Sequence, residues 1–317
     1  MKSSYMGVDI GGTNLKIGLF DPELKFIDFK TYTLNKEITP QDVILVIKDS
    51  FEILSKKYHI KSITCGLPGL INYEEGYIYS LTNFLNWDDV DFKKLLRAAV
   101  NIPVFIDNDV NLAALAEYQL GSGKGCSSML MVALGTGVGG GLILNREVYR
   151  GCNNAAAEIG HIQLNPNGPK CSCGNRGCLE SYIGNRKLLG YLKRRLKDSE
   201  SLLNKIDFAE LKLEDAAHAA LSGDRFSVEF WDYAASKLAQ ALVGVVNVLN
   251  LEKIVIGGGI SNAGESLFKP LRCYLKEQAM DIQAKSVSIV RARFKDRSGV
   301  IGAGLLGRCN LKERRSK

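Results

Sequence analysis

No run of about twenty uncharged apolar residues occurs in this chain of 317 residues, and its opening, MKSSYMGVDI, has no apolar core of the kind a secretory leader carries. A membrane-spanning or exported protein is therefore not expected, and the chain reads as soluble and cytoplasmic. The sequence also lacks the evenly spread cysteines of a disulfide scaffold. Of its eight cysteines, Cys65, Cys126, Cys152, Cys273 and Cys309 stand alone, whereas Cys171, Cys173 and Cys178 crowd into eight residues. In a cytosolic chain such a cluster points to a metal before a disulfide. Histidine is scarce: His59 and His218 lie in amphipathic or edge contexts and read as surface residues, which leaves His161.

A basic surface able to hold nucleic acid is missing as well. The formal charge is +7, but Arg308, Lys312, Arg314, Arg315 and Lys317 against Glu313 place +4 of it in the last ten residues, where a solvated terminus accounts for it. No nucleic-acid partner and no membrane partner are expected.

What is present is enough apolar side chain, 46%, for two cores, and the length exceeds what one core usually supports. Strand-like and helix-like stretches alternate. An apolar strand from Tyr5 to Ile10 meets the tip Gly11-Gly12-Thr13, and a second strand returns from Leu15 to Phe20. After a helix from Pro40 to about Tyr58, a strand from Ser62 to Gly66 and a helix over 91–100, the short strand Val104-Phe105-Ile106 runs into Asp107-Asn108-Asp109, and a helix is expected from Asn111 to Leu120.

The opening then recurs: a strand from Met129 to Leu134, a glycine-rich tip from Gly135 to Gly141, and a returning strand Leu142-Ile143-Leu144. Two halves that each begin with a glycine-tipped hairpin predict a duplicated βββαβα unit with a nucleotide held in a central cleft. The charged stretch 186–222 reads as a helical surface insertion, and 228–249 as a long helix serving core or subunit interface.

Three tips, Gly11-Gly12-Thr13, Gly135-Thr136-Gly137 and Gly257-Gly258-Gly259, each follow an apolar strand. Glycine lets backbone N–H groups approach phosphate oxygens, and threonine adds a hydroxyl donor. The dinucleotide fingerprint Gly135-x-Gly137-x-x-Gly140 fails on context, because a strand follows it instead of a helix. Gly123-Lys124 fails as a P-loop, since Gly125 stands where Ser or Thr is needed.

Asp107-Asn108-Asp109 places carboxylates at the C-terminal edge of a strand, where open α/β sheets bind ligands. Phosphoryl transfer asks for alignment, charge neutralisation and a carboxylate that accepts the attacking hydroxyl's proton. Helix capping is the competing role for these residues. The segment from Glu158-Ile159-Gly160-His161 to Cys171-x-Cys173 and Cys178 offers one imidazole and three thiolates, a closed Cys3His set of the structural zinc type.

Together, Asp9-Ile10-Gly11-Gly12-Thr13, Asp107-Asn108-Asp109, Leu134-Gly135-Thr136-Gly137, Glu158-x-Gly160-His161 and Cys171-x-Cys173-Gly174-x-x-Gly177-Cys178-x-Glu180 resemble the ROK (repressor, open reading frame, kinase) family, in its glucokinase-like branch. The resemblance implies an α/β, actin-like and ribonuclease-H-like ATPase fold of two duplicated βββαβα domains that close around sugar and MgATP. Residues 1–122 would form the smaller domain with the helix 300–317 packing on it, and 123–299 the larger domain bearing the zinc loop and an oligomer interface.

By matching position, Asp109 is expected to be the catalytic base, and Asn83, Asn108, Asp109, Glu158, His161 and Glu180 to hold the sugar. Asp9, Gly11, Gly12, Thr13, Asn14, Lys16, Thr136, Gly137, Gly258 and Gly259 would hold ATP and its magnesium. His161, Cys171, Cys173 and Cys178 would bind structural zinc. The implied activity is phosphorylation of a hexose at O6, glucose first, with N-acetylmannosamine, fructose and allose as alternatives, in a homodimer or homotetramer.

Two positions depart from the family pattern: Asn154 and Ala157 stand where glucokinase-like members usually have glycine. Side chains there bear on which hexose fits. Family members that are sugar-sensing repressors carry an added DNA-binding segment, and here the first hairpin begins at Tyr5, so a preceding helix-turn-helix is not expected.

Overall fold

The structure is a computed structural model that describes residues 3–35, 37–81 and 84–316, with side chains described as far as Leu311. The chain begins with strands β1 (Ser3–Ile10), β2 (Asn14–Phe20) and β3 (Phe26–Thr33), helix α1 (Pro40–Ser55) and strand β4 (His59–Leu67). A small hairpin, β5 (Leu70–Asn72) and β6 (Tyr77–Ser80), precedes α2 (Phe92–Val100), β7 (Val104–Asn108) and α3 (Asp109–Leu120).

The second series comprises β8 (Met129–Leu134), β9 (Val138–Leu144), β10 (Glu147–Tyr149), α4 (Glu180–Ile183), α5 (Asn185–Leu196), α6 (Leu213–Leu221) and α7 (Arg225–Leu249). It ends with β11 (Lys253–Gly257), α8 (Glu265–Gln278), α9 (Asp281–Ser286), β12 (Ser288–Arg291) and α10 (Ser298–Ser316).

Two five-stranded sheets carry the fold, ordered β3-β2-β1-β4-β7 and β10-β9-β8-β11-β12. Each reads third, second, first, fourth, fifth in its own series, which is the duplication expected from the two glycine-tipped hairpins. In the first sheet β1 pairs antiparallel with β2 and parallel with β4, and β4 pairs parallel with β7. In the second, β11 lies parallel to both β8 and β12, and β10 pairs antiparallel with β9.

By its contacts the chain divides into two compact units: residues 1–125, 141–156 and 293–317, and residues 126–140 and 157–292. The core of the first joins Met6, Val8 and Ile10 of β1, Ile63, Cys65 and Leu67 of β4 and the fully buried Trp87, whose indole donates to the Ile38 carbonyl at 2.8 Å. A second cluster packs Leu112 and Ala116 of α3 against Val300 and Ala303 of α10. The core of the other unit forms around Phe230, Trp231, Leu238 and Leu242 of α7 and Ile254, Val255 and Ile256 of β11.

Local chemistry explains the helix limits. Thr39 and Asp42 form a reciprocal capping box with Pro40 at the first helical position, which starts α1. α3 begins at Asp109, two residues earlier than expected from its apolar pattern, because the Asn108 amide caps it. The stretch 186–222 contains α5, a short 3-10 turn at Leu202–Lys205 and α6. Among the described residues no helix is long and apolar enough to cross a membrane.

Candidate active site

In the first unit, the parallel strand β7 ends in Asp107 and Asn108, and Asp109 is the first residue of α3. The Asn108 amide oxygen accepts from the N–H groups of Val110 at 2.9 Å and Asn111 at 3.2 Å. Its Nδ2 donates to the Gly69 carbonyl at 3.3 Å, so Asn108 joins the helix start to the loop after β4. Asp109 is half-buried, and one of its carboxylate oxygens accepts from the Val110 N–H at 2.9 Å. Asp109 thus stands at the positive end of the α3 helix dipole.

Asp107 does something else. It is 3% exposed, and its Oδ2 accepts from Arg150 Nη2 at 2.6 Å and Nε at 3.2 Å. Its Oδ1 accepts from the Asn108 N–H at 2.8 Å and from Asn111 Nδ2 at 3.3 Å. The Arg150 guanidinium lies 3.7 Å from the centroid of the Tyr73 ring. Of the two carboxylates that the sequence placed at this strand end, one is thus committed to an arginine.

Also in this unit, the first tip closes with the Gly11 N–H donating to the Asn14 carbonyl at 2.9 Å, and Gly12 and Thr13 lie half-buried and exposed. Asp9 on β1 pairs across the ladder with Lys16 on β2. Burial pushes the Asp9 carboxyl up to about 6, with Lys16 opposing and Asp296 adding to the shift. A Cβ on Gly299, in the first turn of α10, would lie 2.9 Å from the Asp9 carboxyl, so Asp9 faces the N-terminal turn of that helix. Lys16 in turn pairs with Asp296 at 3.2 Å.

In the second unit, the ligand atoms of His161, Cys171, Cys173 and Cys178 lie within 4.8 Å of one another. His161 Nδ1 is 3.6 Å from Cys171 Sγ, and Cys173 Sγ is 3.7 Å from Cys178 Sγ, too far for a disulfide. The loop is braced by an antiparallel bridge between Gln163 and Cys178 and another between Lys170 and Arg176. The other ring nitrogen, His161 Nε2, is 4.0 Å from Glu158 Oε2. Burial raises the Glu158 carboxyl, with His161 opposing and Glu180 adding to the shift.

Glu180 opens α4, and its Oε2 accepts from the Val138 N–H at 3.0 Å, while its Oε1 accepts from the Ser172 hydroxyl at 3.1 Å. One carboxylate thereby joins the cysteine loop to the tip Gly135-Thr136-Gly137, where Thr136 is exposed. Gly258 takes φ 84°, and a Cβ on it would meet the Leu134 carbonyl oxygen at 2.2 Å, so only glycine serves there; Gly259 follows with open space around it.

Asn83 lies outside the described residues, as do the side chains of the basic tail from Lys312 onward. Sequence reasoning missed Arg150 and Ser172, which carry no local signal. It also passed over the conformation behind the two departures from the glycine pattern: Asn154 at φ 63° and Ala157 at φ 66° both occupy the left-handed region. Asn154 Nδ2 donates to Glu74 Oε2 at 3.0 Å.

Comparison with known proteins adds the context. The ROK family matches residues 5–309. A glucokinase of Halalkalibacterium halodurans is 35% identical over 311 residues, covering 95% of this chain and 94% of that protein. The solved structure of a ROK family glucokinase from Streptomyces griseus, in complex with glucose and AMPPNP, is similar with TM-score 0.83 and 27% identity, covering 96% of this chain and 99% of that one. A ROK family transcriptional regulator, a homolog of the E. coli MLC protein, is similar with TM-score 0.90 and 26% identity, covering 98% of this chain and 79% of that one.

Proposed function

This chain belongs to the ROK family, and on that premise we propose that it transfers the γ-phosphoryl group of ATP to the 6-hydroxyl of a hexose, glucose first. The observation that carries the proposal is Asp109: a carboxylate in the first turn of α3, at the C-terminal end of a parallel strand, with Asn108 capping the helix beside it.

In the proposed reaction Asp109 accepts the proton of the sugar O6 as that oxygen attacks the γ-phosphorus. The bond to the β,γ-bridging oxygen breaks, and ADP and the hexose 6-phosphate are formed. The roles of sugar ligands are assigned to Asn83, Asn108, Glu158, His161 and Glu180. Asn108 has a second N–H on Nδ2 to offer a hydroxyl beyond the one aimed at Gly69. Gly11, Gly12, Thr13, Asn14, Lys16, Thr136, Gly137, Gly258 and Gly259 are assigned to ATP. Magnesium, held through Asp9, would neutralise phosphate charge; the Asp9 carboxyl, half-buried two residues before the first tip, offers the hard oxygen donor such a cation takes.

The Cys3His cluster fits zinc. With Zn–S about 2.3 Å and Zn–N about 2.0–2.1 Å, a tetrahedron separates sulfurs by about 3.8 Å and sulfur from nitrogen by about 3.5 Å. The observed separations are 3.7 Å and 3.6 Å. Burial and the neighbouring thiols push the Cys178 thiol up, and a cation among the three sulfurs would favour their thiolate forms. Four protein ligands leave no open position, so the metal would hold the loop that presents Glu158 and Glu180.

A cytoplasmic homodimer or homotetramer is the proposed assembly. The exposed side chains Val248, Met280 and Ile282 support it; the Met280 N–H donates to Asn247 Oδ1 at 3.0 Å, which brings α7 and the start of α9 together. Light scattering tests it.

A second reading, a sugar sensor without phosphoryl transfer, is favoured by the likeness to a transcriptional regulator. One experiment separates the two: coupled ADP release over glucose, N-acetylmannosamine, fructose and allose, with Asp109→Asn beside the parent. The kinase reading expects turnover on at least one hexose and a fall in kcat of about 10²-fold in the variant. No ADP release on any of the four, or a loss below about tenfold, sinks it.

A further inference from the structure

We infer that Arg150 is a positioning residue for phosphoryl transfer: through the buried Asp107 it fixes the turn that presents Asp109. The inference rests on the reading of Asp109 as the base and adds to it a residue outside the sequence motifs.

The chain of contacts is short. Arg150 grips one oxygen of Asp107 with two of its nitrogens, Nη2 at 2.6 Å and Nε at 3.2 Å. The other oxygen of Asp107 holds the Asn108 N–H at 2.8 Å and the Asn111 side-chain amide at 3.3 Å. Asn108 in turn holds the N–H groups of Val110 and Asn111. Asp109 therefore sits between residues whose backbone N–H groups are all tied, directly or through Asn108, to a carboxylate that Arg150 holds.

Charge makes the arrangement depend on the arginine. Asp107 is 3% exposed, and a buried carboxylate that loses its cationic partner is left uncompensated, so it rotates toward water. That rotation releases the hold on Asn108 and Asn111. Arg150 is itself fixed: its guanidinium stacks 3.7 Å from the Tyr73 ring centroid, its Nη1 donates to the Val148 carbonyl at 3.4 Å, and its side chain is 18% exposed. Lysine cannot copy a planar group that pairs and stacks at once. Because misplacement by about 1 Å can cost about 10²-fold in rate, a turn loosened by a fraction of that is expected to show in kcat.

The test compares Arg150→Gln, Arg150→Lys, Asp107→Asn with Arg150→Gln, and Asp109→Asn, all in the full chain. Steady-state kinetics is run on the hexose that the parent turns over, and thermal unfolding is followed alongside. Arg150→Gln is expected to lower kcat about tenfold or more with KM for ATP within about threefold, while KM for hexose rises because Asn108 is loosened with the turn. Adding Asp107→Asn is expected to restore most of that kcat, because the amide oxygen that replaces the carboxylate would still accept from Asn108 and Asn111 and no charge would remain unpaired. A role in stability alone would change the unfolding temperature and show no such recovery.

If Arg150→Gln fails to fold, Arg150→Lys carries the test with an expected intermediate loss of kcat. The inference is overturned by a folded Arg150→Gln or Arg150→Lys within twofold of the parent kcat, or by a double variant no faster than Arg150→Gln. An inactive Asp109→Asn beside a fully active Arg150→Gln removes the positioning role and leaves the base assignment standing; an active Asp109→Asn removes the base assignment.

Discussion

A methyl group on Gly137 would lie 2.2 Å from Glu180 Oε2, so the tip after β8 and the first residue of α4 are packed as closely as a glycine allows. The same oxygen accepts from the Val138 N–H at 3.0 Å, so moving the Glu180 carboxylate to relieve the clash strains that bond. Gly137→Ala is expected to displace Glu180 and the tip together and to lower kcat/KM for both hexose and ATP by about tenfold or more, the scale of a misplaced binding group. Circular dichroism should show the fold retained. An alanine variant with parental kcat/KM for both substrates would contradict the assignment of Glu180 and Gly137 to ligands.

Metal content is the next measurable property. Protein purified without chelator is expected to carry about one zinc per chain by elemental analysis. Cys178→Ser is expected to lose it, since Cys178 is fully buried within the cluster and a serine hydroxyl is a poor zinc ligand. Thiolate and neutral imidazole are the binding forms, so zinc is expected to leave as pH is lowered. A folded, metal-free parent would refute the assignment.

The parts legible in the sequence were those whose signal is local. Glycine-tipped hairpins follow from apolar runs broken by Gly and Thr, and the Cys3His cluster from spacing alone, and the duplicated sheet order follows from seeing the hairpin twice. Strand β3, FIDFKTYT, escaped because its pattern of polar and aromatic residues lacks a continuous apolar run. The partners of Asp107 and Glu117 were invisible for a different reason. Arg150 is 43 positions from Asp107, and Glu117, fully buried on α3, accepts from Arg293 N–H at 3.1 Å, Phe294 N–H at 2.8 Å and Ser298 Oγ at 3.2 Å, donors more than 170 residues away. Pairings of that kind are set by the completed fold, and nothing in the flanking residues announces them.

Ala157 carries a strain that glycine would remove. At φ 66° its Cβ crowds the following backbone at a cost of about 1–2 kcal/mol, against which glycine loses about 0.4–1 kcal/mol of chain entropy. Ala157→Gly is expected to be the more stable protein by roughly 0.5–1 kcal/mol, a rise of about 2 °C in the unfolding temperature. Asn154→Gly is expected to gain less, because asparagine tolerates this region and its amide bonds to Glu74 at 3.0 Å. A lower unfolding temperature for Ala157→Gly would mean that the methyl group makes contacts worth more than the strain. Running both variants on the hexose panel shows in addition whether these side chains bear on selectivity.

Asp9 gives a dependence on pH whose sign is fixed by burial. Its carboxyl is raised from 3.8 to about 6, so between those values the folded protein holds a proton that the unfolded chain has released. Folding therefore loses stability as pH rises through this window, and above about 6 the ionised carboxylate is carried at a constant cost. Asp9→Asn removes the cost and keeps the shape, so it is expected to melt higher than the parent at pH 7–8, with the difference shrinking as pH falls toward 4. The same variant is expected to be nearly inactive at every pH, since an amide is a poor magnesium ligand. Added magnesium with ATP should raise the parent's unfolding temperature and leave that of the variant almost unchanged. If Asp9→Asn melts lower than the parent at pH 8, the carboxylate is stabilised by Lys16 and the N-terminal turn of α10 more than it is penalised by burial.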